Sequence, residues 1–201
     1  MKKFCTFYIV RHGETDWNVK GIIQGQVDVP LNKMGESQAK LLGEKLKGMN
    51  FSIVYCSDLK RAKRTAEIIV ENRGLPVQTV KDLRERYYGK YEGKHFSLLD
   101  KNEINNVKDA KGEVEPIRSL VNRTIFFLNE KAVEHLGQNV LLVTHGGVMR
   151  HLLIHLGYGT KESLRAGSVG NTAYVKVFCD GKNITIEEAF GVLRLEDRAG
   201  K

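Results

Sequence analysis

The sequence has few of the features that mark secreted, zinc-binding or disulfide-stabilised proteins. It contains three cysteines among 201 residues, and no Cys-x-x-Cys pair occurs. An odd number of scattered cysteines argues against a disulfide framework, and the absence of paired cysteines argues against a structural zinc site. Reduced thiols are typical of a cytoplasmic protein, and we expect that location.

Long apolar runs are also absent. The run near the N-terminus, Phe4–Val10, follows two lysines and precedes no recognisable cleavage site. It is too short for a membrane span and predicts a buried first strand, not a signal peptide. We therefore expect no membrane partner.

Basic residues outnumber acidic ones, and the formal net charge is +8. The lysines and arginines are interspersed with acids, and the densest cluster, SDLKRAKRTAE, contains no interleaved aromatic residues. This pattern does not favour a nucleic-acid partner. A solvated surface and a small anionic substrate both account for the excess of positive charge.

Short β-rich segments alternate with amphipathic helical segments along the chain. The predicted strands are Phe4–Val10, Phe51–Cys56, Val77–Val80 and Val140–Val143, followed by a hairpin of Tyr174–Phe178 and Ile184–Phe190. The predicted helices run from Lys33 to about Gly48, from a cap at Ser57 or Asp58 to about Asn72, from Pro116 to His135, and from the THGG segment to about Leu156. The alternation predicts an α/β fold, a three-layer α/β/α sandwich whose mostly parallel sheet has an antiparallel edge strand. We expect residues 1–201 to form a single domain.

Three of these strands are followed by polar residues of a similar kind. The first ends in Arg11-His12-Gly13, the second is followed by a helix that carries Arg61, and the fourth ends in Thr144-His145-Gly146-Gly147. Ligands of open α/β sheets bind beyond the carboxyl ends of the strands. We therefore expect both histidines and both arginines to meet at one edge of the sheet.

Phosphoryl transfer through histidine uses these groups together. Neutral imidazole is a nucleophile, and nearby arginines disfavour its protonated form. The arginines also offer planar donor forks to phosphoryl oxygens, and a second histidine adds a donor. The leaving oxygen requires a general acid as well. Glu85, Glu92 and Glu14 are the candidates, and their spacing favours Glu85.

Five segments together resemble the histidine phosphatase superfamily, the phosphoglycerate mutase-like family. They occur in order along nearly the whole chain as RHGETDWN, GIIQGQVDVPLNKMGESQA, SDLKRAKRTAE, LRERYYGKYEGK and VTHGGVMR. The resemblance implies a phosphoglycerate mutase-like fold, a small phosphorylated metabolite as substrate, and neither a metal ion nor a cofactor. It also allows a homodimer.

The resemblance assigns roles to individual residues. His12 would be the phosphorylated nucleophile and Glu85 the acid that protonates the leaving group and then activates water. The remaining residues would contact phosphate or substrate, namely Arg11, Arg61, His145, Asn18, Gln24, Gly25 and the Gly146 backbone.

The family contains both phosphatases and cofactor-dependent phosphoglycerate mutases, and the sequence carries traits of each. The segment ERYYG differs by one residue from the ERHYG typical of mutases, whereas the EGK that follows resembles the phosphatase branch. Mutases have an adjacent arginine pair in the next segment, but here no arginine lies between His95 and Pro116, only Lys101, Lys108 and Lys111. We therefore predict a metal-independent phosphomonoester phosphatase, with a mutase as the alternative, and expect residues 94–115 to form a short variable insertion that caps the substrate.

Overall fold

One six-stranded sheet organises the protein in its computed structural model, which describes residues 4–99 and 114–198. The strands are β1 (Cys5–Arg11), β2 (Ile53–Ser57), β3 (Val77–Val80), β4 (Asn139–Thr144), β5 (Val169–Cys179) and β6 (Ile184–Val192). Their order is β3-β2-β4-β1-β5-β6. The predicted first strand lies inside the sheet, where both of its faces are covered.

Five α-helices connect the strands of the described chain. They are α1 (Asp16–Val19), α2 (Lys33–Lys45), α3 (Lys60–Ile69), α4 (Ile117–Glu134) and α5 (Gly146–His155). Single turns of 3₁₀-helix occupy Lys81–Leu83, Gly89–Tyr91, Phe96–Leu98 and Glu196–Arg198. None of the described helices is long and apolar enough to cross a membrane.

Side chains of β1 alternate between two hydrophobic cores, which places one helical layer on each face of the sheet. Phe7 and Ile9 pack in a core with residues of α4 and α5. Tyr8 and Val10 pack in a second core with residues of α2 and α3. The predicted three-layer α/β/α sandwich is thereby confirmed.

As predicted, the antiparallel pairing lies toward one edge of the sheet, and the structure shows which strands form it. β5 runs antiparallel to both of its neighbours, β1 and β6. The strand that opposes the others therefore lies one position inside the edge, and β6 occupies the edge itself. β5 is also longer than the predicted Tyr174–Phe178, because it begins at Val169.

The predicted cap of α3 is wrong. The N-cap position is Leu59, which makes no side-chain cap hydrogen bond. The Lys60 N–H at the helix start instead donates to Asp28 Oδ1 at 2.7 Å. Asp58 cannot serve as the cap because its carboxylate binds the Arg84 guanidinium through two hydrogen bonds of 2.6 and 2.7 Å.

The predicted insertion at 94–115 falls mostly outside the described residues, since 100–113 are not described. Lys101, Lys108 and Lys111 belong to that part. On the N-terminal side of these residues, Ile22 and His95 form an isolated antiparallel bridge. On its far side, Val114 is buried against Ile23 and Tyr91.

The turn that carries His12 packs backbone to backbone against the start of α2. A Cβ atom at Gly35 would lie 2.1 Å from the Glu14 carbonyl oxygen, and one at Gly13 would lie 2.4 Å from the Gly35 carbonyl oxygen. Neither approach leaves room for a side chain. Asn32 caps the same helix by accepting the Gly35 N–H at 2.8 Å.

We expect Gly35→Ala to destabilise the protein by about 1–3 kcal/mol, because the added methyl group must displace backbone. Gly48→Ala is the matched control, since a Cβ at Gly48 meets nothing within 4 Å. Urea denaturation of both variants measures the free energies of unfolding. Equal midpoints for the two variants would contradict the close packing.

Candidate active site

The two histidines and two arginines do meet at one edge of the sheet. Arg11 is the last residue of β1, and the His12 N–H donates to the Thr144 carbonyl at 3.0 Å, which extends the parallel β1–β4 ladder. His145 follows β4 as the N-cap of α5. The rings of His12 and His145 are 5.2 Å apart between centroids.

The tautomer of His12 is fixed by its neighbour. Nδ1 lies 2.7 Å from the Gly13 carbonyl oxygen, which can only accept, so Nδ1 carries the proton. The pKa of His12 lies well below 6.5 because the ring is buried and because Arg61 and Arg11 are close, although the Gly13 hydrogen bond acts in the opposite direction. The neutral ring therefore keeps its lone pair on Nε2.

His145 has the opposite tautomer. Its Nδ1 accepts from Arg61 Nε at 3.2 Å, so its proton is on Nε2. Burial and the Arg61 charge hold its pKa well below 6.5. Nε2 is buried and has no hydrogen-bond partner among the described residues. This N–H is thus a donor available to a ligand.

Arg61 is completely buried, and its donors are divided between the protein and the pocket. Besides His145, it donates to the Val27 carbonyl at 2.8 Å and to the Gly25 carbonyl at 2.7 Å. Three of the five guanidinium N–H groups are used in this way, which leaves two for an anion. Burial lowers the pKa of Arg61 to about 10.

Arg11 is the second cation of the pocket and is partly buried. Nη1 donates to the Val169 carbonyl at 2.6 Å, whereas Nε is buried without a partner in the described chain. Burial also lowers the pKa of this arginine. Two neighbouring guanidinium groups with unused donors, one buried and one partly buried, favour an anion with several acceptor oxygens.

Glu85 is the acid candidate that borders this pocket. Its Oε2 accepts the Gly147 N–H at 2.9 Å, and its Oε1 accepts the Arg86 N–H at 2.8 Å. A Cβ at Gly147 would lie 2.4 Å from Oε1, so only glycine lets the carboxyl approach the start of α5.

The other two acid candidates have structural contacts. Glu14 accepts from Asn32 Nδ2 at 2.9 Å beside the start of α2. Glu92 Oε1 accepts the N–H groups of Gln26 at 2.9 Å and Tyr88 at 3.0 Å. Glu92 therefore joins the loop around Gln26 to the loop that carries Glu85.

The remaining predicted residues are Asn18, Gln24, Gly25 and Gly146. Asn18 accepts the Thr15 N–H at 3.1 Å in a capping box of α1. Gln24 is buried, and its Oε1 has no partner among the described residues. Gly25 has a φ of +48°, and Glu92 Oε1 lies 2.0 Å from where its Cβ would be. A Cβ at Gly146 would lie 3.1 Å from Arg11 Nε.

Sequence reasoning did not single out two residues that support the pocket. Thr65 accepts the Gly13 N–H at 3.0 Å and donates to the Arg61 carbonyl at 2.6 Å. Asn171 donates to the His12 carbonyl at 3.1 Å. Thr65 lies one helical turn after Arg61 in the quoted SDLKRAKRTAE segment, so its helical spacing was a usable signal. Asn171 precedes the predicted fifth strand and gave no signal.

Comparison with known proteins identifies the family of the chain. Residues 7–190 match the sequence profile of the histidine phosphatase superfamily (branch 1). The chain belongs to this superfamily.

Several superfamily members are similar over most of the chain. The uncharacterized phosphatase PhoE of Bacillus subtilis is 39% identical over 154 residues, which cover 77% of this chain and 78% of that protein. A metal-independent phosphoserine phosphatase of Arabidopsis thaliana is 38% identical over 159 residues, which cover 74% and 67%. The crystal structure of phosphoglycerate mutase from Bacillus anthracis superposes with a TM-score of 0.78 at 27% identity, covering 95% of this chain and 94% of that one.

We expect His12 and His145 to remain neutral, with opposite tautomers, at the pH where a free histidine is half protonated, because burial and the two arginines oppose protonation. Long-range ¹H–¹⁵N spectra of the imidazoles report both properties, and His12→Gln and His145→Gln variants assign the signals. The unfolded chain takes up these protons below about pH 6.5. The free energy of unfolding should therefore fall on acidification through that pH. An imidazolium spectrum for either ring at pH 6 would contradict the proposed electrostatics.

Proposed function

We propose that the protein is a metal-independent phosphomonoester phosphatase that acts through a phosphohistidine on His12. The observation that carries the proposal is the tautomer of His12. Its Nδ1–H is bound by the Gly13 carbonyl, so the Nε2 lone pair is free to attack phosphorus in a pocket that also contains Arg11, Arg61 and His145.

The first step transfers the phosphoryl group to the protein. His12 Nε2 forms a bond to phosphorus as the bond from phosphorus to the ester oxygen breaks. The unused N–H groups of the two arginines and of His145 Nε2 bind the phosphoryl oxygens, where negative charge is spread in the transition state. Glu85, in its protonated form, gives its proton to the departing oxygen.

The second step returns the phosphoryl group to water. Glu85 is now a carboxylate, and it accepts a proton from the water that attacks phosphorus. The bond from phosphorus to Nε2 then breaks and inorganic phosphate leaves. The Gly147 and Arg86 N–H groups, which bind the two oxygens of Glu85, hold the carboxyl beside the pocket throughout.

The hydrogen bonds that Arg84 and Arg123 make within the protein favour hydrolysis over mutase activity. A mutase must retain a doubly anionic product while it reorients, which requires strong cationic contacts away from His12. Arg84 forms two hydrogen bonds with Asp58, and Arg123 forms two with Glu115. These guanidinium groups are therefore engaged within the protein.

The similar proteins support the same proposal. Both relatives described above are named phosphatases, and one is named metal-independent. The structural match to a mutase and the ERYYG segment keep phosphoglycerate mutation as the second candidate. A small phosphorylated metabolite is the proposed substrate in either case.

We expect His12→Ala to abolish the acid-labile phosphoenzyme, because no other residue supplies the attacking lone pair. Brief incubation with a ³²P-labelled phosphomonoester, followed by a denaturing quench at alkaline pH, traps the intermediate. His155→Ala is the matched control, since His155 is exposed at the end of α5. Equal labelling of His12→Ala and wild-type protein would place the nucleophile elsewhere.

We expect the protein to release phosphate from p-nitrophenyl phosphate and from 3-phosphoglycerate in the presence of EDTA. Addition of 2,3-bisphosphoglycerate should not convert this hydrolysis into efficient isomerisation, because Arg84 and Arg123 are bound to carboxylates of the protein itself. Phosphate release and the 2-phosphoglycerate product are measured in parallel. Isomerisation with little hydrolysis would favour the mutase, and loss of all activity on chelation would contradict the metal-free mechanism.

A further inference from the structure

Arg123 of α4 forms an ion pair with Glu115, which lies just before that helix, and the pair adjoins the loop that carries Glu85. Arg123 Nε and Nη2 bind Glu115 Oε1 and Oε2 at 2.7 and 3.0 Å. The two side chains are only 19% and 14% exposed. Such a bidentate, largely buried pair has a fixed geometry, unlike a surface ion pair between flexible chains.

Both members of the pair also bind the backbone of the segment around Glu85, residues 82–88, which is termed the acid loop. Arg123 donates through Nη1 to the Asp82 carbonyl and through Nη2 to the Glu85 carbonyl, the latter at 3.3 Å. Glu115 Oε2 accepts the Tyr87 N–H at 3.3 Å, and the Glu115 N–H donates to the Tyr87 carbonyl at 2.8 Å. The pair therefore contacts the loop on both sides of Glu85.

Residues 84–88 need such contacts because they have no regular secondary structure. No helix or strand hydrogen bonds fix the backbone of Glu85, whereas His12 and His145 directly adjoin strands of the sheet. The carboxyl must nevertheless stay within hydrogen-bond reach of the leaving oxygen. A displacement of about 1 Å can reduce a rate by roughly 100-fold.

We propose that Arg123 and Glu115 are positioning residues for the general acid. They hold the Glu85 backbone in place, so that the Glu85 carboxyl meets the leaving oxygen. The inference rests on the proposed function of Glu85 and adds two residues that touch neither phosphate nor nucleophile.

Arginine is required at position 123 because one planar fork must serve three partners. Lysine preserves the positive charge but cannot bind a carboxylate through two parallel hydrogen bonds while reaching two carbonyl groups. Arg123→Lys therefore separates geometry from charge. Glu115→Gln tests the other member, and Arg118→Lys, at an exposed position on the same helix, is the matched control.

The leaving group of the substrate distinguishes positioning of the acid from a general loss of structure. Phenyl phosphate has a basic leaving group that needs a proton, whereas 2,4-dinitrophenyl phosphate does not. We expect Arg123→Lys and Glu115→Gln to lower kcat/KM for phenyl phosphate roughly 10- to 100-fold. For the dinitrophenyl ester we expect a change of less than about threefold. kcat/KM is the appropriate constant because it reports phosphorylation of His12 and excludes the later attack by water.

Glu85→Gln removes the proposed acid and therefore shows how kcat/KM for each ester changes when no proton is supplied. Arg118→Lys should match the wild type with both esters. Equal losses with the two esters would overturn the proposal, because a merely structural defect does not sense the leaving group. Unchanged kcat/KM for phenyl phosphate in Arg123→Lys would overturn it as well.

Amide hydrogen exchange tests the same contacts without reference to activity. We expect faster exchange in peptides that contain Arg86 and Tyr87 in both variants than in Arg118→Lys or the wild type. Unchanged exchange in this segment would overturn the proposal even if the wild type is a phosphatase. Faster exchange combined with a wild type that hydrolyses neither ester would contradict the proposed function and the role assigned to Glu85.

Discussion

The hydrogen bonds of Arg61 connect most parts of the pocket. The guanidinium is completely buried and binds the Gly25 and Val27 carbonyls and the Nδ1 atom of His145. The first two contacts fix the loop that follows α1, and the third fixes the tautomer of the second histidine. The same charge lowers the pKa of His12. One side chain thus shapes the loop, fixes the tautomer of His145 and helps to keep His12 neutral.

This arrangement explains why the pocket suits a phosphoryl group. Placing the partly buried Arg11 beside the buried Arg61 is unfavourable unless an anion offsets their charge. Glu85 offers only part of that compensation, because its two oxygens are already bound by backbone N–H groups. A phosphate group supplies three further acceptor oxygens for the two arginines and His145. Binding of a phosphate group would therefore offset the unfavourable proximity of the two arginine charges in the folded protein.

The sequence was sufficient to predict the sheet, both helical layers and the convergence of Arg11, His12, Arg61 and His145, because parallel strands end at a common edge. It was less informative wherever distant side chains determine local structure. The start of α3 is bound by Asp28, which lies 32 residues earlier than Lys60. Spacing only favoured Glu85 over Glu92 and Glu14, and the family resemblance then assigned it the role of the acid. The contacts that place Glu85 come from Gly147, 62 residues later, and from Arg123, 38 residues later, and no local pattern reveals them.

In the proposed mechanism, transfer to water and transfer to a second hydroxyl group use the same chemistry at His12, since the imidazole contacts only the phosphoryl group in both. The outcome depends on whether the dephosphorylated product stays in place after its ester bond breaks. Arg123 is adjacent to Glu85 but uses its fork to bind Glu115 and the acid loop. Because Glu115 offsets the charge of this guanidinium, Arg123 gives little electrostatic attraction to an anionic product. In the proposed mechanism, a product that is weakly held leaves before it can be phosphorylated again, and water reaches the phosphohistidine in its place.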